Sequence, residues 1–278
     1  MMDIPKIPIG HFIELFINFL VDHFSFATKA FSVVMEAGLE FLEHAMMAVP
    51  PLVFIVIAAA LVWFLSKKRS LGIFTLVGLA LILNLGLWNA TISTIALVLI
   101  STLIAILIGV PLGILAAMNK TTNRIVMPIL DVMQTMPAFV YLIPAIPFFG
   151  LGKVAAIFST VIFAMPPSIR LTCLGIRQVP TELVECAEAF GSTRWQRLIK
   201  LELPLATNTI LAGVNQTVML SLSMVVIAAM IGAKGLGGEV WKAIQRLQMG
   251  NGFEAGIGIV IVAMILDRVL QQIGKRNN

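Results

Sequence analysis

Seven apolar stretches, divided by short polar ones, run along this chain. They fall at about Met46–Leu65, Leu71–Trp88, Thr91–Met118, Ile125–Phe148, Val154–Ile176, Leu205–Ile231 and Phe253–Ile273. A helix needs about 20 apolar residues to cross the hydrocarbon of a bilayer. Only helices and closed barrels satisfy their own backbone there. Seven such spans take up roughly half of the 278 residues. The balance of residue types agrees: 59% are hydrophobic and 12% charged, against about 45–50% and 25% in soluble domains. A soluble domain of this length has no core large enough for so much apolar surface. The expected fold class is an all-α polytopic membrane protein, with no room for a large soluble catalytic domain.

Residues 1–48 precede the first span. Six acids and two bases interrupt them, so they lack the uninterrupted apolar run of a cleavable signal peptide. His11, Glu14, Asn18, Asp22, Ser25, Lys29, Ser32, Glu36, Glu40 and Glu43 recur with a mean step of about 3.6, the helical period. Apolar residues fill the other faces. This predicts an amphipathic helix, or two in succession, lying in a membrane interface. Its acidic polar face suits the outer surface better than the anionic cytoplasmic leaflet.

The net charge is +5. Its distribution gives an orientation, because short cytoplasmic loops collect Lys and Arg. Thirteen of the 19 bases lie on one side: Lys67, Lys68, Arg69, Lys120, Arg124, Arg170, Arg177, Arg194, Arg197, Lys200, Arg268, Lys275 and Arg276. The other six are Lys6, Lys29, Lys153, Lys234, Lys242 and Arg246. The first side is read as cytoplasmic, with the N-terminus outside and the C-terminus inside. Topology thus accounts for the basic balance, and no basic face remains for nucleic acid. Cys173 and Cys186 form no CxxC pair, and His11, His23 and His44 lack the spacing of metal ligands. There is no G-x-x-x-x-G-K-[ST] phosphate loop, no HExxH and no GxSxG.

The most punctuated polar stretch is the cytoplasmic loop 177–204. It predicts two short helices joined by a break. Thr181 follows Pro180 as a candidate N-cap, and Glu182 and Glu185 sit where the helix dipole favours acids. Gly191 fits a left-handed C-terminal position, Ser192 or Thr193 caps the second helix, and Pro204 closes it. Small residues at Cys186, Ala187 and Ala189 leave room for another protein to approach.

Glu185, Cys186, Ala187, Gly191, Leu201, Leu203 and Pro204 resemble the EAA loop of ABC importer permeases. That pattern has E-A-A, then G four positions on, then I-x-L-P after nine more. Cys186 stands for its first Ala and Leu201 for its Ile. The similarity spans about Ala90–Gln272. The run Ala212–Gly232, Gly235-Leu236-Gly237 and Leu266-Asp267-Arg268 look like the glycine betaine/proline betaine branch. The resemblance implies a type I ABC importer permease fold in a bacterial cell membrane. With the residue patterns above, the expected division is 1–48 as an amphipathic interfacial segment, 49–89 as two peripheral spans, 90–273 as the permease core with the cytoplasmic coupling loop 177–204, and 274–278 as a cytoplasmic tail. The resemblance further implies a homodimer, two copies of an ATPase that binds ATP and Mg, a separate extracytoplasmic binding protein, no cofactor in this chain, and a role in osmoprotection.

The sixth stretch carries Asn208, Asn215, Gln216, Thr217, Ser221 and Ser223. Asn208 and Asn215 are seven apart, as are Gln216 and Ser223, so each pair shares a helix face. Amides facing lipid are costly. Two readings stand side by side: packing between helices, or lining of a translocation pathway. Asp131 and Asp267 lie near cytoplasmic span ends, where interfacial pairing is available, for example of Asp267 with a nearby Arg. Trp63, Trp88, Trp195, Trp241 and Tyr141 do not cluster in sequence, so a cage of aromatics for a quaternary ammonium is expected in the binding protein instead.

Overall fold

The structure, a computed structural model, describes residues 8–275 and contains helices and no strand among them. The expected positions of Lys6 and Arg276 fall outside these residues. Helix α1 (Ile9–Met47) is one uninterrupted helix of 39 residues, not two. At Ala48–Pro50 the chain turns through 98° into α2 (Pro51–Ser66). Pro50 is extended, at φ −53° and ψ 136°, as a residue before proline tends to be. Pro51 then starts the next helix, where its missing N–H costs nothing. The first apolar stretch is therefore divided: Met46 belongs to α1, and the helix that follows begins at Pro51.

The polar stripe of α1 is divided between two environments. Glu14, Asn18, Asp22, Lys29, Glu36 and Glu40 are exposed. Ser25 and Ser32 are half-buried, and Glu43 is buried against Lys153 at 2.6 Å. Leu39 joins the main core, and the Phe31 ring lies 5.5 Å from that of Phe149. On the far side Phe12, Phe16, Phe26 and Phe41 are open.

After α3 (Arg69–Asn84) comes α4 (Trp88–Met118), 31 residues long and free of charge. The fourth expected span is not one helix. Helix α5 (Lys120–Thr135) bends by 112° into a 3₁₀ turn (Ala138–Tyr141) and α6 (Leu142–Phe149). Pro137 is the breaker. It holds Met136 extended, and the Tyr141 hydroxyl donates to the Met133 carbonyl to fix the corner. Pro128 and Pro147, by contrast, lie inside helices.

Helices α7 (Lys153–Ala164) and α8 (Pro166–Arg177) form one apolar run across Pro166-Pro167. Helix α8 packs on α4 and on the later helix α11 (Leu203–Ala228). Gly109 and Gly113 give α4 its contact: an added Cβ would sit 2.0 Å from Ser168 Oγ at the first and 2.7 Å from the Ile169 carbonyl at the second. Small residues four apart let two membrane helices approach this closely.

The loop helix α9 (Thr181–Ala189) is followed by α10 (Arg194–Arg197), a π-helical turn (Leu198–Glu202) and α11 (Leu203–Ala228). The last three make one helical run of 38 residues to Ile231. Helix α12 (Leu236–Gln245) is tied to α4 because the Leu236 N–H donates to Thr94 Oγ1 at 2.8 Å. Helix α13 (Met249–Lys275) ends the described chain and packs on α11, α12, α2 and α3. Among the described residues three helices are long and apolar enough to cross a membrane, or five if each bent pair is one span. Arg69–Asn84 is a shorter apolar helix.

Candidate coupling loop and pathway face

Helix α9 starts directly after extended Pro180 and has no side-chain cap. Thr181 is its first helical residue, not its N-cap. Glu182 lies in the first turn, where its charge complements the dipole. The end of α9 is a Schellman motif. The Ser192 N–H donates to the Ala187 carbonyl at 3.1 Å and the Gly191 N–H to that of Glu188 at 2.9 Å. Gly191 takes φ +76°, and nothing lies within 4 Å of where its Cβ would be. Only its backbone conformation selects glycine here.

The second helix opens with a capping box. Thr193 Oγ1 accepts from the Gln196 N–H at 3.3 Å, and Gln196 Oε1 accepts from the Thr193 N–H at 2.9 Å. Pro204 does not close this helix, contrary to the sequence reading. It sits in the first turn of α11, and the helix runs on through the π turn before it. An α-helical proline ring collides with the carbonyl four residues back. Widening that turn, with the Leu203 N–H reaching the Leu198 carbonyl, relieves the clash without ending the helix. From Arg194 onward, loop and α11 are therefore one continuous helical run.

Arg197 joins the parts. Its guanidinium pairs with Glu188 of α9, and its Nε lies 2.7 Å from Glu202 Oε1, whose side chain is buried. Leu198 is buried with Ile176 and Ala206, and Leu203 packs on that cluster. Sequence reading missed Arg197, Glu188, Glu202 and Leu198. The partners are nine and five residues apart: the first spacing closes only when the break at Gly191 folds one helix over the other, and the second only when the turn Leu198–Glu202 widens to a π turn.

The expected loop residues Glu185, Cys186, Gly191 and Pro204 are exposed, while Ala187, Leu201 and Leu203 are half-buried. No residue of α9 is buried. Around them Phe190, Trp195 and Ile199 show 86%, 64% and 59% of their surface. Large apolar side chains open on a polar loop make this segment a candidate for protein contact.

The six polar residues of α11 divide evenly. Thr217 and Ser221 are buried: Thr217 donates to the Gly213 carbonyl, and Ser221 accepts from Thr102 of α4 at 3.1 Å. Asn215 is half-buried and donates to Asp267 Oδ1 at 2.9 Å. Asp267 also takes hydrogen bonds from Gln271, so amides and not an Arg satisfy it. Asp131 pairs with Arg170 of α8 at 2.5 Å. Asn208, Gln216 and Ser223 are exposed. With Leu205, Ala212 and Met219, and with Met230 in the 3₁₀ turn just past its end, they make one continuous open, uncharged face along α11. Asn208 also borders a cleft of about 610 Å³ with Ile199, Pro204 and Thr207, which brings the end of the loop to the start of this face.

Residues 109–276 match the family described as binding-protein-dependent transport system inner membrane component. The chain is 52% identical to the glycine betaine transport system permease protein OpuAB of Bacillus subtilis, over 97% of this chain and 95% of that one. It is 45% identical to the glycine betaine/proline betaine transport system permease protein ProW of Escherichia coli, over 97% of this chain and 76% of that one. Among solved structures it resembles the MetNI methionine ABC transporter in an inward-facing conformation. That match has 25% identity and a TM-score of 0.57, and covers 66% of this chain and 90% of that one.

Proposed function

The chain belongs to the family of binding-protein-dependent transport system inner membrane components, and on that premise we propose that it is the permease of an ATP-driven importer of glycine betaine and proline betaine, serving osmoprotection. It is a multi-pass membrane protein with the fold of a type I ABC importer permease. The observation that carries the substrate class is the identity of 52% and 45% to two betaine permeases along nearly the whole chain.

In this reading an ATP-hydrolysing subunit seats on α9 and α10. The rigid loop, its exposed Phe190 and Trp195, and its continuity with α11 support that role. Movement of the ATPase would pass through Arg197 and the π turn into α11 as one lever. ATP and Mg are held by that partner. Two copies of the chain enclose the pathway, lined by Asn208, Gln216 and Ser223. An uncharged face of amides, hydroxyl and thioethers suits a zwitterion, since a fixed charge would hold one end of the cargo too tightly to let it leave. A separate extracytoplasmic protein supplies the high-affinity site.

The side bearing 13 of the 19 bases is cytoplasmic, which puts α9 on the ATP side and the N-terminus outside. Helix α1, at 98° to α2, then lies along the outer interface with its acidic stripe to water and its phenylalanines to lipid.

Uptake of labelled glycine betaine into vesicles holding the permease and its ATPase, with the binding protein outside, tests the proposal. Uptake that needs ATP and is competed by proline betaine more than by choline or carnitine is expected. An ATP-independent leak, or no betaine uptake, overturns it.

A further inference from the structure

We propose that the hairpin of α2 and α3 holds one anionic phospholipid of the cytoplasmic leaflet, its acyl chain in the groove between the helices and its phosphate on the turn Ser66–Arg69. The choice of leaflet rests on the orientation proposed above. The chemistry of the site does not.

Two adjoining hollows of about 410 and 630 Å³ run along this hairpin and share Ala60, Trp63 and Arg69. The longer groove is walled by Val56, Ala60, Trp63, Ile73 and Leu76. Its floor is made by the small residues Ala59 and Gly72, where α2 and α3 pack so closely that a Cβ added at Gly72 would lie 2.9 Å from that of Trp63. Such a trough accepts a hydrocarbon chain. The second hollow opens at the turn, between Phe64, Lys67 and Arg69.

The turn is built for an anion. Lys67, Lys68 and Arg69 are all exposed, and none forms an ion pair among the described residues. Helix α3 begins here with no side-chain cap; the Leu71 N–H donates to the Lys68 carbonyl, which leaves the N–H groups of Arg69 and Ser70 and the positive end of the dipole at the same spot. Ser66 is occupied by the turn itself: its hydroxyl donates to the Lys68 carbonyl and accepts from the Lys68 N–H. Each helix has 16 residues, about 24 Å at 1.5 Å per residue, short of the roughly 30 Å of hydrocarbon. The long side chains of Lys67, Lys68 and Arg69 make up the difference by extending from the turn to phosphate depth, and Trp63 lines the same hollow as Lys67 and Arg69. Ordinary interfacial anchoring by Lys and Trp accounts for the charges but not for a groove that runs from them into the apolar layer. Three clustered cations favour a lipid with net negative charge over a zwitterionic one.

The test uses the whole transporter, reconstituted in vesicles of one part phosphatidylglycerol to three parts phosphatidylcholine, with lipid retained on extraction counted by native mass spectrometry. The native protein is expected to keep phosphatidylglycerol in preference to phosphatidylcholine, with no displacement by inorganic phosphate. The variant Lys67→Gln/Lys68→Gln/Arg69→Gln should keep at least about fivefold less, and so should Ala60→Phe, which fills the groove and leaves the charges. Equal retention by the native protein and both variants overturns the site. So does a disulfide from Ala60→Cys to another chain, which would make the groove a protein contact. In a Cys186→Ser background, labelling of Lys68→Cys from inside or outside the vesicle reports the leaflet separately. Outside labelling would sink the orientation and the choice of leaflet, while the retention data would still decide the site.

Discussion

Arg197 Nε lies 2.7 Å from Glu202 Oε1 across the wide turn that carries loop into span. The same guanidinium pairs with Glu188 on the preceding helix. One side chain thus bridges three segments that the backbone alone would leave hinged at Gly191. Glu202 is buried, so removing its partner leaves a charge uncompensated. Arg197 is partly open to water, which discounts the usual cost of breaking a buried pair to roughly 2 kcal/mol. Arg197→Ala should lower the thermal midpoint of the purified complex and reduce ATP-driven uptake. Arg197→Met/Glu202→Leu should recover the midpoint and not the uptake. Full uptake by both variants would remove the lever.

Gly191 has open space around it, so a larger residue there meets no neighbour and only the left-handed backbone is penalised, by about 1–2 kcal/mol. Gly191→Val is expected to reach the membrane at the native level, with uptake lost. Normal uptake by this variant would falsify the coupling role of the α9 terminus.

Glu185 and Phe190 are exposed on the loop and fill no gap in the permease. Glu185→Lys and Phe190→Asp should leave folding intact, with changes in stability within about 0.5 kcal/mol. Both should recover less ATPase in a pull-down. Unchanged recovery from both would place the contact elsewhere.

The two environments along α11 are separable by thiol labelling in a Cys186→Ser background. Asn208→Cys, Gln216→Cys and Ser223→Cys are expected to react with a small water-soluble reagent, and Thr217→Cys and Ser221→Cys to resist it. Similar rates for the two groups would count against a pathway face.

Glu43 and Lys153 join α1 to the start of α7 at 2.6 Å, with side-chain exposures of 12% and 25%. Glu43→Ala should cost about 1–3 kcal/mol, since it strands a mostly buried ammonium. The exchange Glu43→Lys/Lys153→Glu should restore most of it, as read by the thermal midpoint.

Much of the fold is legible in the order of residues. A run of apolar residues in a bilayer has one answer, because its backbone finds hydrogen bonds only within itself. The punctuation of the loop is equally local: Gly191 takes the left-handed position and Thr193 with Gln196 forms its box wherever the rest of the chain lies. The prolines were not legible in this way. Pro51 starts a helix after a right-angled turn, Pro137 breaks one, and Pro204 is absorbed by a widened turn. A sequence marks the missing N–H, but the packing around it decides whether the helix stops, bends or swells.

The polar residues of α11 divide on the same ground. Spacing put Gln216 with Ser223, and both lie on the open face. It also put Asn208 with Asn215, yet Asp267 arrives from α13 and draws Asn215 inward. Sequence by itself determined the helical class, the succession of apolar stretches and the position of the loop, since run length, period and backbone chemistry act within one segment. Only the tertiary structure decided which polar groups face inward and how Arg197 locks the loop to the span, because those outcomes depend on neighbours that arrive from distant parts of the chain.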